Sequence, residues 1–449
     1  MPSVADIDLY RLTGTEALEL IREGSVNCEQ YISALIKRIE ARDTVVGAWA
    51  YFDPEHALAQ ARALDSLPAT ERGPLHGLAI GVKDVILTKD LPTQYNSAAF
   101  VSKLPIGMDA SCIMTLRASG AVIMGKTTTT EFATCQRGPA RTCNPHDPTR
   151  TAGGSSSGSG AAVGDFQVPI SLGTQTGGST IRPGSFNGIF ALKPTWNSIS
   201  REGLKMYCIT YDTLGLYARS IADLKLLAEV FEIKDDVPPP TEPLSLKGAK
   251  FGFAKTHIWP KATQGTLDAW EKAKELLIEE GAEIEEVDLA EFADFDRHYR
   301  AIMAGEGRVA FRGDYLTHPD KLDPLIISHS KNDTNVTRSQ QLEAYDTIAA
   351  LRPRIDAIAS KYTALVTPST TDEAIKLAEP DRFTGSAEFN CMWTALQVPV
   401  LNIPGFKGPA GCPLGLSLVA PRYQDGKLLH VGEAVGKVWT EKGGWKPSN

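Results

Sequence analysis

Apolar residues return with two different periods along this chain. Between 29 and 42, Tyr31, Leu35, Ile36 and Ile39 recur every three to four positions, which predicts a helix with one buried face. The stretch 15–24 predicts a shorter helix, with Thr15 as its N-cap and Gly24 as its stop. Residues 48–52 read as a strand and 54–64 as a helix begun by Pro54. A helix over 110–119 and a strand over 120–124 follow, and Lys83 falls on a buried strand or just after it. Short apolar runs at 190–194, 249–254, 283–288, 364–368, 398–404 and 414–419 predict further strands, with helices over 221–232 and 266–281. Helices and strands alternate on both sides of the stiff Pro238-Pro239-Pro240 and Pro243 linker. That order fits one layered α/β fold.

Residues 144–188 break the pattern. They are dense in Gly, Ser, Thr and Pro, interrupted mainly by Ala161-Ala162-Val163 and by the run from Val168 to Leu172. So long an irregular stretch inside a compact fold points to function. Two glycine-serine loops lie within it. One runs from Gly153 to Gly160, and the other is Gly173-Thr174-Gln175-Thr176-Gly177-Gly178-Ser179-Thr180. Such loops can aim several backbone N–H groups at one point, where they hold a phosphate or the oxyanion of an acyl transfer.

Composition narrows the class. The 449 residues are 42% hydrophobic and 22% charged, which suffices for a large core. A net charge of −8 argues against a nucleic-acid partner held by bulk charge. The seven cysteines are an odd number without C-x-x-C spacing, so neither a disulfide framework nor a zinc site is indicated. The first eight residues, Met1 to Asp8, lack the basic and apolar regions of a secretion signal, and no run of 18 apolar residues offers a membrane span. The expected location is the cytoplasm, without a membrane partner. The sequons at Asn332 and Asn335 are then fortuitous.

Three motifs compete for the chemistry. Gly120 to Thr127 matches G-x-x-x-x-G-K-T in form, but Ala121-Val122-Ile123-Met124 between the glycines belongs in a buried strand, not a phosphate cradle. Gly154-Ser155-Ser156-Ser157-Gly158 matches G-x-S-x-G, yet no apolar strand precedes it. No histidine falls in either serine loop, and His430 lies on a helical stretch where a structural role is the simpler one.

The third motif joins Lys83 to both loops. The apolar run ending at Leu172 leads into Gly177-Gly178-Ser179, where glycine N–H groups can converge beside a Ser179 nucleophile. A lysine serves as base if it is neutral. Its ordinary pKa is about 10.4, so neutrality at about pH 7 to 8 costs about 4 kcal/mol, which burial can impose. Lys83 has apolar neighbours on both sides. A serine of the first loop could relay the proton. Alternatively, Lys83 pairs with a carboxylate at a strand end, and each loop is a structural turn.

These segments resemble the amidase signature family of serine hydrolases. The resemblance rests on Gly81-Val82-Lys83-Asp84, Gly125-Lys126-Thr127, Glu131-Phe132-Ala133, Gly153-Gly154-Ser155-Ser156, Gly177-Gly178-Ser179 and Ala191-Leu192-Lys193-Pro194-Thr195. A weaker match covers Pro413-Leu414-Gly415-Leu416 and Ala420-Pro421-Arg422. It implies a mixed central β-sheet with helices on both faces, in a single domain over 1–449. It implies Ser179 as the acylated nucleophile, Ser155 as the bridging serine and Lys83 as the base. The N–H groups of Thr176, Gly177, Gly178 and Ser179 become the oxyanion hole, and no metal or cofactor is required. Two features depart from many members: Gln175 stands where Asp is common, and Arg182 lies three residues after the nucleophile instead of two. Both look more like malonamidase than like the glutaminase component of an amidotransferase. Arg182 either binds a substrate carboxylate or is a buried structural arginine.

The expected activity is therefore cleavage of a small-molecule amide through an acyl-enzyme. The alternatives are carbamate or ester hydrolysis by the same triad, and a glutaminase-type role within an amidotransferase. Assembly as a homodimer is compatible with the sequence. The acyl pocket is expected to draw on residues around 300–345 and 385–395.

Overall fold

The computed structural model describes residues 8–134, 141–289, 292–382 and 385–447. Cys135 and residues 1–7, part of the stretch read for a secretion signal, lie outside them. The first half of the chain contains α1 (Gly14–Arg22), α2 (Cys28–Val46), β1 (Trp49–Phe52), α3 (Pro54–Asp65), β2 (Ala79–Lys83), α4 (Ser111–Ala118) and β3 (Val122–Thr127). Next come α5 (Ser157–Gly164), β4 (Ile170–Gln175), α6 (Ile181–Phe186), β5 (Phe190–Lys193), β6 (Thr213–Ala218) and α7 (Ile221–Val230). Beyond the prolines lie β7 (Lys250–Lys255), α8 (Gln264–Glu279), β8 (Glu283–Asp288), α9 (Phe295–Ala310), α10 (Arg312–Thr317), α11 (Pro324–Lys331) and α12 (Arg338–Ala359). The chain closes with β9 (Ala364–Pro368), α13 (Cys391–Ala395), β10 (Val400–Lys407), β11 (Pro413–Val419) and α14 (Asp425–Lys442).

All eleven strands form one mixed sheet in the order β1-β3-β2-β4-β6-β5-β10-β11-β9-β7-β8. The β3-β2-β4 and β9-β7-β8 groups run parallel, and the other pairs are antiparallel. Every residue of β2 to β6, β9 and β11 is buried, as are all but the last of β10. A sheet buried on both faces must be covered on both faces, here by helices. The end strands depart furthest from this: β1 is half-buried throughout, and β8 exposes Glu283, Glu285, Glu286 and Asp288. Charges along an edge discourage pairing with another chain.

The first helix starts earlier than its pattern predicts. Its N-cap is Thr13, not Thr15, because Thr13 and Glu16 bond reciprocally in a capping box. The sequon asparagines have a backbone role: Asn332 ends α11 in the left-handed region and Asn335 turns at φ 55°. His430 is buried within α14. Among the described residues, no helix is long and apolar enough to cross a membrane.

Candidate active site

Two lysines end adjacent parallel strands, and they have opposite surroundings. Lys83 closes β2 and Lys126 sits near the end of β3, with Val82 opposite Lys126 and Lys83 opposite Thr127. Successive side chains of a strand point to opposite faces, so neighbours in this register reach different environments. Lys126 Nζ lies 3.5 Å from the Asp84 carboxylate and 2.5 Å from Thr93 Oγ. Burial brings its pKa down to about 8 against the pull of Asp84. Lys126 is thus the lysine with a carboxylate partner, and the formal phosphate-loop motif is a buried strand.

Lys83 is fully buried and, among the described residues, forms no ion pair. Its Nζ sits 2.7 Å from Ser155 Oγ and 2.7 Å from Thr174 Oγ. Desolvation holds the ammonium well below its ordinary range, and Asp212 pulls the other way by a smaller amount. A neutral amine has two N–H donors and one lone pair. It can donate to Thr174 and accept from the Ser155 hydroxyl in the same geometry.

The first loop reaches Lys83 because α5 is pressed onto the sheet. A Cβ at Gly158 would stand 2.2 Å from Ala48 O and 2.4 Å from Thr128 N, so any other residue would push the helix away. Ser156, the centre of the formal G-x-S-x-G, is fully buried and bonds the Thr174 carbonyl and N–H at 3.2 Å each. It ties the first loop to β4. The Gly154–Ser155 peptide is cis.

The second loop follows β4 directly and meets the first, since Ser156 N–H donates to the Ser179 carbonyl at 3.4 Å. Ser179 is half-buried, while Lys83 and Ser155 are 0% and 3% exposed. Nucleophile and base candidates are therefore graded from rim to core. The N–H groups of Gly177, Gly178 and Ser179 have no acceptor among the described residues. Three backbone donors without a protein acceptor, close together on one turn, suit a developing oxyanion.

Thr176 contributes through its side chain as well. Its hydroxyl lies 2.5 Å from Asp212, which also accepts from Tyr207 N at 2.6 Å and Cys208 N at 3.1 Å. Burial pushes the Asp212 carboxyl up to about 6. A cleft lined by Ala133, Thr174, Thr176, Tyr207 and Asp212 opens beside these groups. Sequence reasoning missed both Thr174 and Asp212. Thr174 was within reach, because alternate residues at a strand end share a face with Thr176. Asp212 carries no local signal.

Arg182 does not face the cleft as a free cation. It is 4% exposed, and its guanidinium donates to the Gly154 carbonyl at 3.0 and 2.5 Å and to Ser386 Oγ at 3.2 Å. Burial lowers its pKa to about 10. It clamps the peptide that carries Ser155, which supports the structural role. Arg182→Lys loses the planar fork and is expected to weaken turnover of neutral and acidic amides alike, by up to about 10²-fold as Ser155 shifts. Rates on a matched substrate pair check this, and a loss confined to the acidic amide would restore the carboxylate role.

Comparison with known proteins places this geometry in context. The profile of the amidase family matches residues 30–429. The A subunit of glutamyl-tRNA(Gln) amidotransferase from Streptomyces coelicolor is 30% identical over 497 residues, covering 97% of this chain and 98% of the relative. A crystal structure of an amidase superposes with a TM-score of 0.83 at 28% identity, over 94% of this chain and 98% of that one. A chain from a vestigial protein complex, described for the origins of an s-triazine catabolic enzyme, gives 0.85 at 26% identity over 98% and 100%.

Proposed function

The chain belongs to the amidase family, and on that premise we propose that it is a serine hydrolase that cleaves a small-molecule amide through an acyl-enzyme. The observation that carries this reading is Lys83: fully buried, without an ion pair among the described residues, and 2.7 Å from Ser155 Oγ. Neutral Lys83 takes the Ser155 proton while Ser155 takes the Ser179 proton, and Ser179 Oγ attacks the substrate carbonyl. The Gly177, Gly178 and Ser179 N–H groups, with that of Thr176, bind the oxyanion. Collapse of the tetrahedral intermediate breaks the C–N bond. The amine leaves with the proton returned through Ser155, and water then hydrolyses the ester by the same relay. This scheme needs no metal or cofactor. One catalytic domain over 1–449 accords with it, since β5 and β10 pair across the proline linker.

The same relay would serve a carbamate or an ester. A glutaminase-type role within an amidotransferase is the second reading, favoured by the 30% identity to amidotransferase A subunits. Purified chain assayed alone against amides, carbamates, esters and glutamine separates these. Hydrolysis of a non-glutamine amide without partners supports the proposal. Activity on glutamine only in the presence of partner proteins would replace it.

Ser155→Ala is expected to keep the fold and lose roughly 10²–10⁴-fold in kcat, the usual worth of acid–base assistance. Steady-state kinetics on folded variant measures this. A wild-type kcat would remove Ser155 from the relay.

A further inference from the structure

The three free N–H groups beside Ser179 raise the question of what aims them. In a trans peptide the C=O of one residue and the N–H of the next point in opposite directions. Whatever holds the carbonyls of Thr176 and Gly177 therefore sets the direction of the Gly177 and Gly178 N–H groups. Both carbonyls are held by side chains from the C-terminal half. Tyr299, on α9, donates its hydroxyl to the Thr176 carbonyl at 3.2 Å. Thr394, on α13, has its Oγ 2.7 Å from the Gly177 carbonyl.

The surroundings fix both donors. The Tyr299 ring stacks on Tyr211 at 5.0 Å and 16°, and on Phe295 at 5.5 Å and 30°. A Cβ at Gly177 would meet the Tyr299 oxygen at 3.0 Å, so loop and phenol are in contact. A Cβ at Gly178 would stand 2.9 Å from both the Cβ and the carbonyl oxygen of Ala387, so the loop cannot retreat on that side either.

Thr394 is oriented by Gln175. The Gln175 Oε1 accepts from Thr180 N at 2.8 Å and Ile181 N at 3.0 Å, and backbone N–H groups can only donate. This assigns the amide: Nε2 faces Thr394 Oγ at 2.9 Å and donates to it. Thr394 must then direct its own single proton elsewhere. The nearer acceptor is the Gly177 carbonyl at 2.7 Å, against 3.1 Å for Asn390 O. The glutamine therefore accounts for the polarity of the chain Gln175–Thr394–Gly177.

We propose that Tyr299 and Thr394 are positioning residues, which hold the carbonyls of Thr176 and Gly177 away from the cleft so that the following N–H groups converge on the oxyanion. The proposal rests on the hydrolase reading above. Its test uses the full-length protein as wild type, Tyr299→Phe, Thr394→Val and Thr394→Ser. Three quantities are read: steady-state kinetics on an amide turned over by the wild type, the rate of labelling by a fluorophosphonate, and the melting temperature.

Removing an oxyanion donor outright costs roughly 10²–10³-fold, so loosening one is expected to cost about 10- to 100-fold in kcat. KM should stay within about twofold, because oxyanion charge develops only in the transition state. The labelling rate should fall in parallel, and Thr394→Ser should recover most of the loss. A purely structural role would move the melting temperature without that split or that recovery. Should Thr394→Val fail to fold, Tyr299→Phe carries the test, since it deletes one oxygen from a half-buried ring. Folded variants with wild-type kcat and labelling rate would overturn the positioning role while leaving Ser179 as nucleophile. A wild type that neither turns over amides nor labels would overturn the hydrolase reading, and the positioning role with it.

Discussion

Ser179→Ala is expected to lose turnover and all covalent labelling by a fluorophosphonate, the largest effect foreseen for any single change in this protein. Removing the nucleophile of a serine hydrolase costs on the order of 10⁴- to 10⁶-fold in kcat, with a residue of catalysis left to the oxyanion donors and binding. Stability should barely change. Ser179 is half-buried, and the bonds that hold its loop run through its backbone: Ser156 N–H and Tyr217 OH both donate to its carbonyl. Mass spectrometry of the labelled wild type provides the direct check. If the label sits on Ser156, or persists in Ser179→Ala, the nucleophile lies in the first loop and the assignment is wrong.

Lys83→Met should come next, level with Ser155→Ala. It keeps the stem that fills the core and removes only the amine proposed as the base. A loss of roughly 10²–10⁴-fold in kcat/KM is expected. The pH profile carries a sign that can be worked out. Burial depresses the ammonium well below its usual range. The neutral, active form is therefore reached early: wild-type kcat/KM should rise with pH and level off short of the ordinary lysine value of about 10.4. A profile flat over about pH 5 to 10, or substantial activity of Lys83→Met near pH 8, would point to another base.

Stability is linked to the same group. Between the folded and unfolded values the unfolded chain binds more protons, so wild-type stability rises with pH across that window. Lys83→Met removes the dependence. The variant should melt above the wild type at neutral pH, with the gap widening as pH falls towards the folded value and closing above the ordinary lysine range. A melting temperature below that of the wild type would mean that the amine packs better than it desolvates.

Much of this was legible in the sequence, for physical reasons that vary by segment. Runs such as those of β7, β9 and β11 are short, apolar and bounded by turn residues, so they read as strands. The residue set Lys83, Ser155, Ser179 stands out because glycine and serine accumulate where the backbone turns tightly or, as at Gly158, packs closely on its neighbours. Other parts were hidden. β6 carries Gly215 within a buried strand, where a Cβ would stand 2.1 Å from Thr180 Oγ, and glycine weakens a strand signal. Helices α9 to α12 escaped prediction. Helix α9 contains Gly305 and Gly307, both poor helix formers, and α12 contains Pro353. Thr394 falls in the window 385–395 expected near the acyl pocket, but its contact and that of Tyr299 could not be read. Their partners are carbonyls more than a hundred positions away, and a carbonyl leaves no trace in the residue that carries it. Asp84 shows the same limit in reverse: it follows Lys83 in the chain but serves Lys126 in space.

The order of strands also governs how the protein is made. β10 and β11 are last in the chain, yet they lie in the middle of the sheet, between β5 and β9. While the ribosome is still translating residues before 400, β5 has an open edge, and β9 on the other side lacks its β11 neighbour. Such edges attract other chains and favour misassembly during synthesis. Pairings of this sequence separation also close slowly. Thr394 sits just ahead of β10, so the clasp on Gly177 comes into being with the same closure. A nascent or truncated chain would carry the serines and the lysine but not the Thr394 hydroxyl that holds the Gly177 carbonyl. Full activity is therefore expected only after β10 and β11 have joined the sheet.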